Sequence, residues 1–536
     1  MLETVQKYVA KHVLEPTHLD YPQVRKLAIK LGVSTAVAYF FFKVVLYRLY
    51  LSPVNRIPGP KVGWLPFMGN FPEIIREETG VPLKKWENMY GGIYSFHGPW
   101  NIPRVVVTDS VLLKQVLTSN EYDFIKTPEA SAFLRRILGD GLLTAEGQTH
   151  RHQRKMLNPA FSVNSIRSLL PLMAKPGHRL RNQWIDMIKG PNHKVTSEDG
   201  QEFTEIEISS GLSLATLDVI GWAFGQDFKS LEYAGTPNQS KLSRAYLHIF
   251  SNEVTFMRVL TFMFPIFRHL PTERNIKMKT DLRWLEEESR KLVQAGIDRA
   301  AEAKTKGTVD DKPKDLLATM IDLTDEETGK GFTLEEIRNQ CLTFLAAGHE
   351  TTSVSLSWCL WLLGQNQEIQ DDLRTEVRTL FHQDDETPSY EDINTLPLLN
   401  NVVRETLRLI PPVPTTSRVT RVPVVLGSYV LPKGTTIFLS PIATHHSKHI
   451  WGDDAEDFNP YRWDGDRLGN AYQYMPFLAG GRQCIGYKFA LVEFKILLAI
   501  LIRNIQFFEK PGFKVSKKQQ ITLRPDPNMV IWARTV

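Results

Sequence analysis

The sequence predicts a mainly α-helical protein with small β-sheets, built as one large domain behind an N-terminal apolar helix. Three observations carry this. From Ser110 to about Leu380 the pattern is helical, interrupted by polar loops at 192–200, 304–314 and 382–389. Segments rich in β-formers are short and lie toward the two ends of the body. No internal repeat or low-complexity tract divides the 536 residues, and the loops are short beside the helices, so the length is assigned to one body. A hydrophobic share of 42% and a charged share of 23% belong to an ordinary globular chain. The net charge of +5 is small for this length, and no Lys/Arg block or RNA-binding aromatic signature accompanies it. Nucleic acid is therefore not an expected partner.

In chain order, residues 1–26 read as a polar N-terminal segment and 27–51 as an anchor helix for membrane lipid. Leu31 to Phe42 is charge-free and mostly apolar, and the run continues past Lys43 through Val44, Val45, Leu46 and Tyr47. A span takes about 20 apolar residues, and a run of about 10–14 suits an interfacial segment, so both placements stay open. Lys43 can snorkel, and Tyr39, Phe40, Phe41, Phe42, Tyr47 and Tyr50 can form an interfacial belt. The polar segment ahead of the run does not suit a cleavable signal peptide. Arg25, Lys26 and Lys30 on one side nearly balance Arg48, Arg56 and Lys61 on the other, so these charges set no orientation. Residues 52–66, with Ile57-Pro58-Gly59-Pro60, read as a stiff proline-rich hinge, and the globular domain is drawn from 57 to 536. Ile93 to His97 and Arg104 to Val107 suggest an early hairpin. Short β-like pieces return at 424–431, 435–439, 521–524 and 529–534.

Residues 333–363 read as one long helix, opened by a capping box of Thr333 with Glu336. The cluster Ala346-Ala347-Gly348-His349-Glu350-Thr351-Thr352 is expected to interrupt its middle, because glycine and β-branched residues lower helix propensity. Such a local break often marks function. Cys341 and Cys359 fall on this helix 18 residues apart. That is about 27 Å, too far to pair, and packing is their expected role. With no C-x-x-C pair among three cysteines, a reducing compartment is expected. Farther on, Glu405 and Arg408 share one face of an apolar-flanked helix, and Phe458-Asn-Pro460-Tyr-Arg462-Trp463 follows.

The third cysteine has a different setting. In Phe477-Leu-Ala-Gly480-Gly-Arg482-Gln-Cys484-Ile-Gly486, glycines let backbone approach a flat ligand, and an arginine stands two residues upstream of the cysteine. An apolar helix-spaced stretch from Tyr487 to Ile502 follows, so Cys484 stands just before a helix N-terminus that favours a thiolate. A thiolate is the ligand a haem iron uses when the chemistry is O–O cleavage. The decapeptide matches F-x-x-G-x-R-x-C-x-G at every fixed position and resembles the signature of the cytochrome P-450 superfamily of haem-thiolate monooxygenases. The resemblance covers about Ile57 to the end, with five motifs in the expected order, and it implies the cytochrome P-450 fold.

The resemblance also implies roles. Cys484 would be the axial ligand of the iron in haem b (iron protoporphyrin IX), with Phe477, Arg482 and Gly486 completing the cofactor loop. Glu146 to Phe161 resembles the family's W-x-x-x-R helix, with Arg154 in place and His150 standing for the tryptophan, and implies both as propionate partners. Thr415 stands where many relatives carry Arg or His, and Arg418 is the candidate to compensate. The central helix would cross the haem, leaving a slot for dioxygen, with Glu350 and Thr351 as the acid–alcohol pair that delivers protons. Glu405, Arg408 and Arg462 would join in a buried structural network. An apolar pocket is expected around Phe133, Leu134, Phe344, Ala347, Val413 and Pro414, with a further wall near 519–523.

The implied function is a monooxygenase that oxidises a lipophilic small molecule with dioxygen. Its electrons would come from NADPH through a separate NADPH-cytochrome P-450 reductase, since nothing in the chain resembles a flavin or dinucleotide domain. Cytochrome b5 is a further partner that the resemblance allows. The proline-rich hinge resembles microsomal members, which implies the endoplasmic reticulum membrane, a single anchor and a cytosolic catalytic domain. Ala347-Gly-His-Glu-Thr-Thr352 and Arg154-Lys-Met-Leu-Asn-Pro-Ala-Phe161 resemble fungal microsomal members, implying a secondary metabolite, terpenoid or polycyclic aromatic. Fatty-acid hydroxylation is the alternative within the same chemistry. A haem-thiolate isomerase or dehydratase working without NADPH, and a haem sensor or carrier, are the alternatives outside it. Neither of these needs the Glu350–Thr351 pair.

Overall fold

The computed structural model describes residues 21–63, 65, 67–250, 267, 270–305, 315–325, 329–465 and 470–536. Most of the polar N-terminal segment and of the loop expected at 304–314 lies outside the described residues. The anchor is helical from Tyr21: α1 (Tyr21–Phe41) continues as a wider π-type turn over Phe42–Leu51. Together they reach about 45 Å, longer than a hydrocarbon core of about 30 Å. Leu27, Leu31, Val37 and Phe41 are exposed along it. The last turns are fastened to the body. Asn101 donates to the Val44 carbonyl at 3.2 Å and Arg48 to the Trp100 carbonyl at 2.7 Å, while the Phe40 ring stands 6.1 Å from both Phe67 and Trp100.

The expected hinge is a strut. Val54 and Ile57 are buried in a core cluster with Val105, Val107 and Leu439. Pro58 accepts from the Ser95 N–H at 2.8 Å. A side chain at Gly59 would meet the Ser95 carbonyl oxygen at 1.8 Å, so the strand can lie against the strut only because residue 59 is glycine. Deleting residues 1–41 is therefore expected to leave the body folded, with weaker sedimentation with membranes. Extending the deletion through Leu51 removes the Val44 and Arg48 contacts and should also lower the melting temperature. A 1–41 deletion that cannot take up haem in a haem-rich host would mean that α1 belongs to the core.

The hairpin expected early in the chain is present, Ile93–His97 pairing antiparallel with Pro103–Val107. It forms one side of a five-stranded sheet ordered Ile93–His97, Pro103–Val107, Thr436–Leu439, Thr416–Thr420 and Phe124–Lys126. The second and third of these strands are parallel. A four-stranded sheet joins Ile505–Glu509, Val530–Thr535, Glu202–Glu207 and Lys194–Thr196. The last strand falls in the loop expected at 192–200: its side chains are largely exposed, so no alternation of apolar residues announced it. Two small hairpins, Val424–Leu426 with Tyr429–Leu431 and Ser516–Gln519 with Leu523–Asp526, complete the β-structure among the described residues.

The helices that build the interior are α2 (Gly147–Leu157), α3 (Val163–Lys189), α4 (Ile208–Ala223), α5 (Leu334–Gln365), α6 (Pro397–Leu409) and α7 (Tyr487–Asn504). α7 buries every residue from Val492 to Ile502, as befits a helix apolar on all sides, and packs on α3. α5 starts with the expected capping box: the Thr333 hydroxyl accepts from Glu336 N–H and the Glu336 carboxylate from Thr333 N–H. The expected interruption in its middle does not occur, and α5 is one unbroken helix. Hydroxyls there fold back onto the helix without breaking it. Thr351 donates to the Ala347 carbonyl at 2.8 Å and Ser355 to the Thr351 carbonyl at 2.8 Å. Gly348 lets α4 come close, since a side chain there would lie 3.1 Å from Ile220. Cys341 and Cys359 are fully buried in the α5 core.

Candidate active site

A cavity of about 420 Å³ opens between α5 and the loop ahead of α7. Leu134, Ile137, Leu138, Phe161, Ile220 and Phe344 give it apolar walls, with Phe161 and Phe344 edge to face at 5.0 Å. Cys484, Arg482, Arg154, His150, Phe477, Gly486, Glu350, Thr351, Phe344, Ala347 and Val413 all reach this one cavity. Phe133 and Pro414 do not line it. Phe133 stands on the outer face of the helix Pro128–Leu138 while its neighbour Leu134 turns inward, and the Pro414 carbonyl accepts from Ile442 N–H at 3.2 Å. Of this adjacent pair, both expected at the pocket, helix geometry lets only Leu134 face it.

The cysteine loop is held by backbone. Cys484 N–H donates to the Phe477 carbonyl at 2.9 Å and Gln483 N–H to Gly480 at 3.0 Å. Gly480 has a φ of +74°, and a side chain there would sit 1.9 Å from the Leu117 carbonyl oxygen, so both conformation and space demand glycine. Glu121 accepts from Gly481 N–H at 2.8 Å, and Arg154 donates to the Gln483 carbonyl. The Cys484 side chain is exposed to the cavity. Burial pushes its thiol up, against the pull of the Gly486 N–H and of Arg154.

At one end of the cavity five cationic or basic side chains converge: Lys126, His150, Arg154, Arg418 and Arg482. Arg482 donates to the Phe124 carbonyl at 2.6 Å and pairs with Glu146. Lys126, held by the Ala145 carbonyl at 2.8 Å, is lowered by burial to about 7. His150 is lowered to about 3, by burial first and then by Lys126 and Arg482. Burial, with Arg482, takes Arg418 to about 10. His150 Nδ1 and Arg482 Nε are buried with no hydrogen-bond partner among the described residues. Buried basic groups gathered at one place, with the Arg482 Nε–H unspent, suit an anionic ligand. Arg418 thus joins the cluster, whereas Thr415 instead bonds Gln519 at 3.2 Å. Lys126 carried no sequence signal, being one lysine in a short strand.

The middle of α5 supplies further polar groups to the cavity lining. Glu350 is buried and already engaged. Thr522 donates to it at 2.6 Å, Arg524 Nε donates at 2.6 Å, and the Arg524 Nη2 completes an ion pair. His349 turns from the cavity, its Nδ1 at 2.8 Å from the Leu345 carbonyl and its ring against Tyr246. A second buried carboxyl, Glu493 of α7, reaches the cavity and accepts from the Thr352 hydroxyl at 2.9 Å. A lone acid inside the apolar run Tyr487 to Ile502 was its visible signal.

Glu405, Arg408 and Arg462 meet in one buried knot apart from the cavity. Glu405 accepts from Arg408 at 2.8 and 2.9 Å, from Arg462 at 2.8 Å, from Trp463 Nε1 at 2.9 Å and from Asn459 N–H at 3.0 Å. Arg408 spends its remaining donors on the carbonyls of His445, Ala455 and Asp457. This ties α6 to the segment that leads into the cysteine loop.

Comparison with known proteins adds an independent finding. The family model described as Cytochrome P450 matches residues 58–532. The chain is 34% identical over 533 residues to cytochrome P450 monooxygenase 205 of Postia placenta, covering 93% of this chain and 94% of that protein. It is 29% identical over 512 residues to cytochrome P450 monooxygenase sphH of Aspergillus fumigatus, covering 91% and 90%. With cytokinin hydroxylase of Arabidopsis thaliana it shares 30% identity over 446 residues, covering 82% and 80%.

Proposed function

Because the chain belongs to the cytochrome P450 family of monooxygenases, we propose that it oxidises a lipophilic small molecule at a haem b held by Cys484. The observation that carries this reading is the shared cavity: the cysteine, the cationic cluster and the hydroxyl-rich middle of α5 face one apolar space. The donor set suits the group. A thiol open to the cavity can bind iron, a cation strong enough to strip its proton. Lys126, His150, Arg154, Arg418 and Arg482 suit two propionates, and the leucine and phenylalanine walls suit a flat apolar ring. When bound, haem supplies dioxygen activation and the transfer of one oxygen atom to substrate.

The protein's own part is orientation and proton handling. Thr351 presents its hydroxyl at the cavity from a fixed helix, and Glu350 is the adjacent acid. Arg524, part-exposed, links Glu350 toward solvent, so protons would enter by that side. Glu405, Arg408 and Arg462 act as scaffold. Residues 27–51 serve as anchor and 57–536 as catalytic domain, in the endoplasmic reticulum membrane and facing the cytosol. NADPH-cytochrome P-450 reductase would supply electrons, with cytochrome b5 as an accessory donor. The substrate class we assign, a fungal secondary metabolite, terpenoid or polycyclic aromatic, rests on the motif wording of 154–161 and 347–352, and the relatives from Postia placenta and Aspergillus fumigatus add that monooxygenases of fungi are similar to this chain.

The test is NADPH consumption with purified reductase, with and without candidate lipophiles, in wild type and Thr351→Ala. The wild type should consume NADPH in step with product. The variant should keep its haem spectrum and release more of the electrons as hydrogen peroxide, since positioned proton transfer is worth about 10²–10⁴-fold in rate. Equal product per NADPH in both would make Thr351 a helix residue only. Turnover of a hydroperoxide without NADPH would favour the isomerase reading.

A further inference from the structure

We infer that Glu493 is a proton-holding group of the cavity, a second acid that faces it from α7 while Glu350 serves from α5. The inference rests on the monooxygenase reading above. The two carboxyls are buried alike and differ in company. Glu350 is matched by a guanidinium and a hydroxyl. Glu493 accepts one hydrogen bond, from Thr352, and its Oε1 has no partner among the described residues. A carboxylate so placed would be a desolvated charge without a counter-ion, whereas the neutral acid carries no charge and keeps its bond to Thr352 at the cavity lining.

Among the described residues no ion pair reaches Glu493, and the following charged groups on α7 and the helices near it are engaged with other partners. On α5, Glu350 turns to Arg524 and His349 to the Leu345 carbonyl. On α7 itself Lys495 donates to Asn394, and on α3 Arg181 pairs with Asp385. Arg404 of α6 lies over Trp463, and Arg374, on the helix Gln367–Arg378, pairs with Asp371. Burial is accordingly the main influence on Glu493 and lifts it to about 8, with the Thr352 hydroxyl as the opposing pull. The group thus carries its proton at neutral pH.

The step is a proton transfer alone. The carboxyl O–H bond breaks as the proton passes to a water molecule entering the cavity, the Thr352 hydroxyl steadies the carboxylate left behind, and a hydronium ion later returns the proton. No electron passes through the residue. Glu350 would then serve the solvent side of the relay and Glu493 the store beside α5.

The experiment uses the full-length, haem-loaded protein and compares wild type, Glu493→Gln and Glu350→Gln by infrared difference spectroscopy across a pH series. A protonated-carboxyl stretch should be present at neutral pH in wild type and Glu350→Gln, fade with a midpoint near 8, and be missing in Glu493→Gln. Thermal unfolding gives a readout independent of haem chemistry. A glutamic acid raised from its ordinary value to about 8 leaves the folded protein with more bound protons than the unfolded chain between those values. Wild type should therefore lose stability relative to Glu493→Gln as pH rises through that window. Peroxide released per NADPH should rise in Glu493→Gln. A stretch that survives Glu493→Gln, or parallel stability curves, overturns the assignment. Neither result touches the thiolate reading, which stands or falls on the carbonyl spectrum of Cys484 variants.

Discussion

Replacing Cys484 with serine is expected to abolish monooxygenation and to remove the red-shifted Soret band that a thiolate ligand gives the reduced carbonyl complex. The argument is chemical and geometric together. A serine hydroxyl is no substitute for a soft anionic sulfur as the ligand that would hold haem iron. The loop itself should persist, because its bonds run through backbone atoms, Cys484 N–H to Phe477 and Gln483 N–H to Gly480. The variant should thus fold, melt near the wild type and bind haem weakly or with another spectrum. A Cys484→Ser protein with an unchanged carbonyl spectrum would refute the ligand assignment and, with it, the proposed chemistry.

Glu405→Gln is expected to damage the fold more than any change in the cavity. The substitution conserves shape yet deletes the charge that faces Arg408 and Arg462, both buried. Removing one partner of a buried pair costs about 3–5 kcal/mol, because the remaining charge is stranded. Domains are stable by about 5–15 kcal/mol in total, so the loss is a large share of the whole. The expected result is a markedly lower melting temperature and poor haem retention, with residual holoprotein showing a normal thiolate spectrum. A wild-type melting curve would show that the knot is dispensable.

What was legible in the sequence was local. The cysteine loop, the capping box of α5 and the three-residue spacing of Glu405 and Arg408 are short-range patterns whose geometry follows from their spacing. The middle of α5 was misjudged as a break because propensity counts glycine and β-branched residues against a helix. In the fold, Thr351 returns its hydroxyl to the helix, Thr352 turns its own to Glu493, and Gly348 makes room for Ile220. Contacts between distant segments had no such signature. Glu350 meets Arg524 across 174 positions, and Lys126 reaches the cationic cluster from a strand of three residues. Phe133 shows the opposite difficulty: it and Leu134 were both expected at the pocket, but on the helix Pro128–Leu138 adjacent side chains point apart and only Leu134 turns inward.

The strut between α1 and the body has a mechanical consequence. With Pro58 bonded to Ser95, Gly59 pressed on the same strand, and Arg48 and Asn101 joining the last helical turns to the body, the chain offers no swivel at this point. Once α1 lies in a bilayer, the body would move with it as a boom moves with its mast. Its compass bearing above the lipid would follow the tilt of the helix, and a thinner or thicker membrane would re-aim the cavity by tipping the whole molecule. Docking of an electron donor and entry of a lipophile would then be governed by one shared angle, which bilayer thickness could tune without altering a single residue.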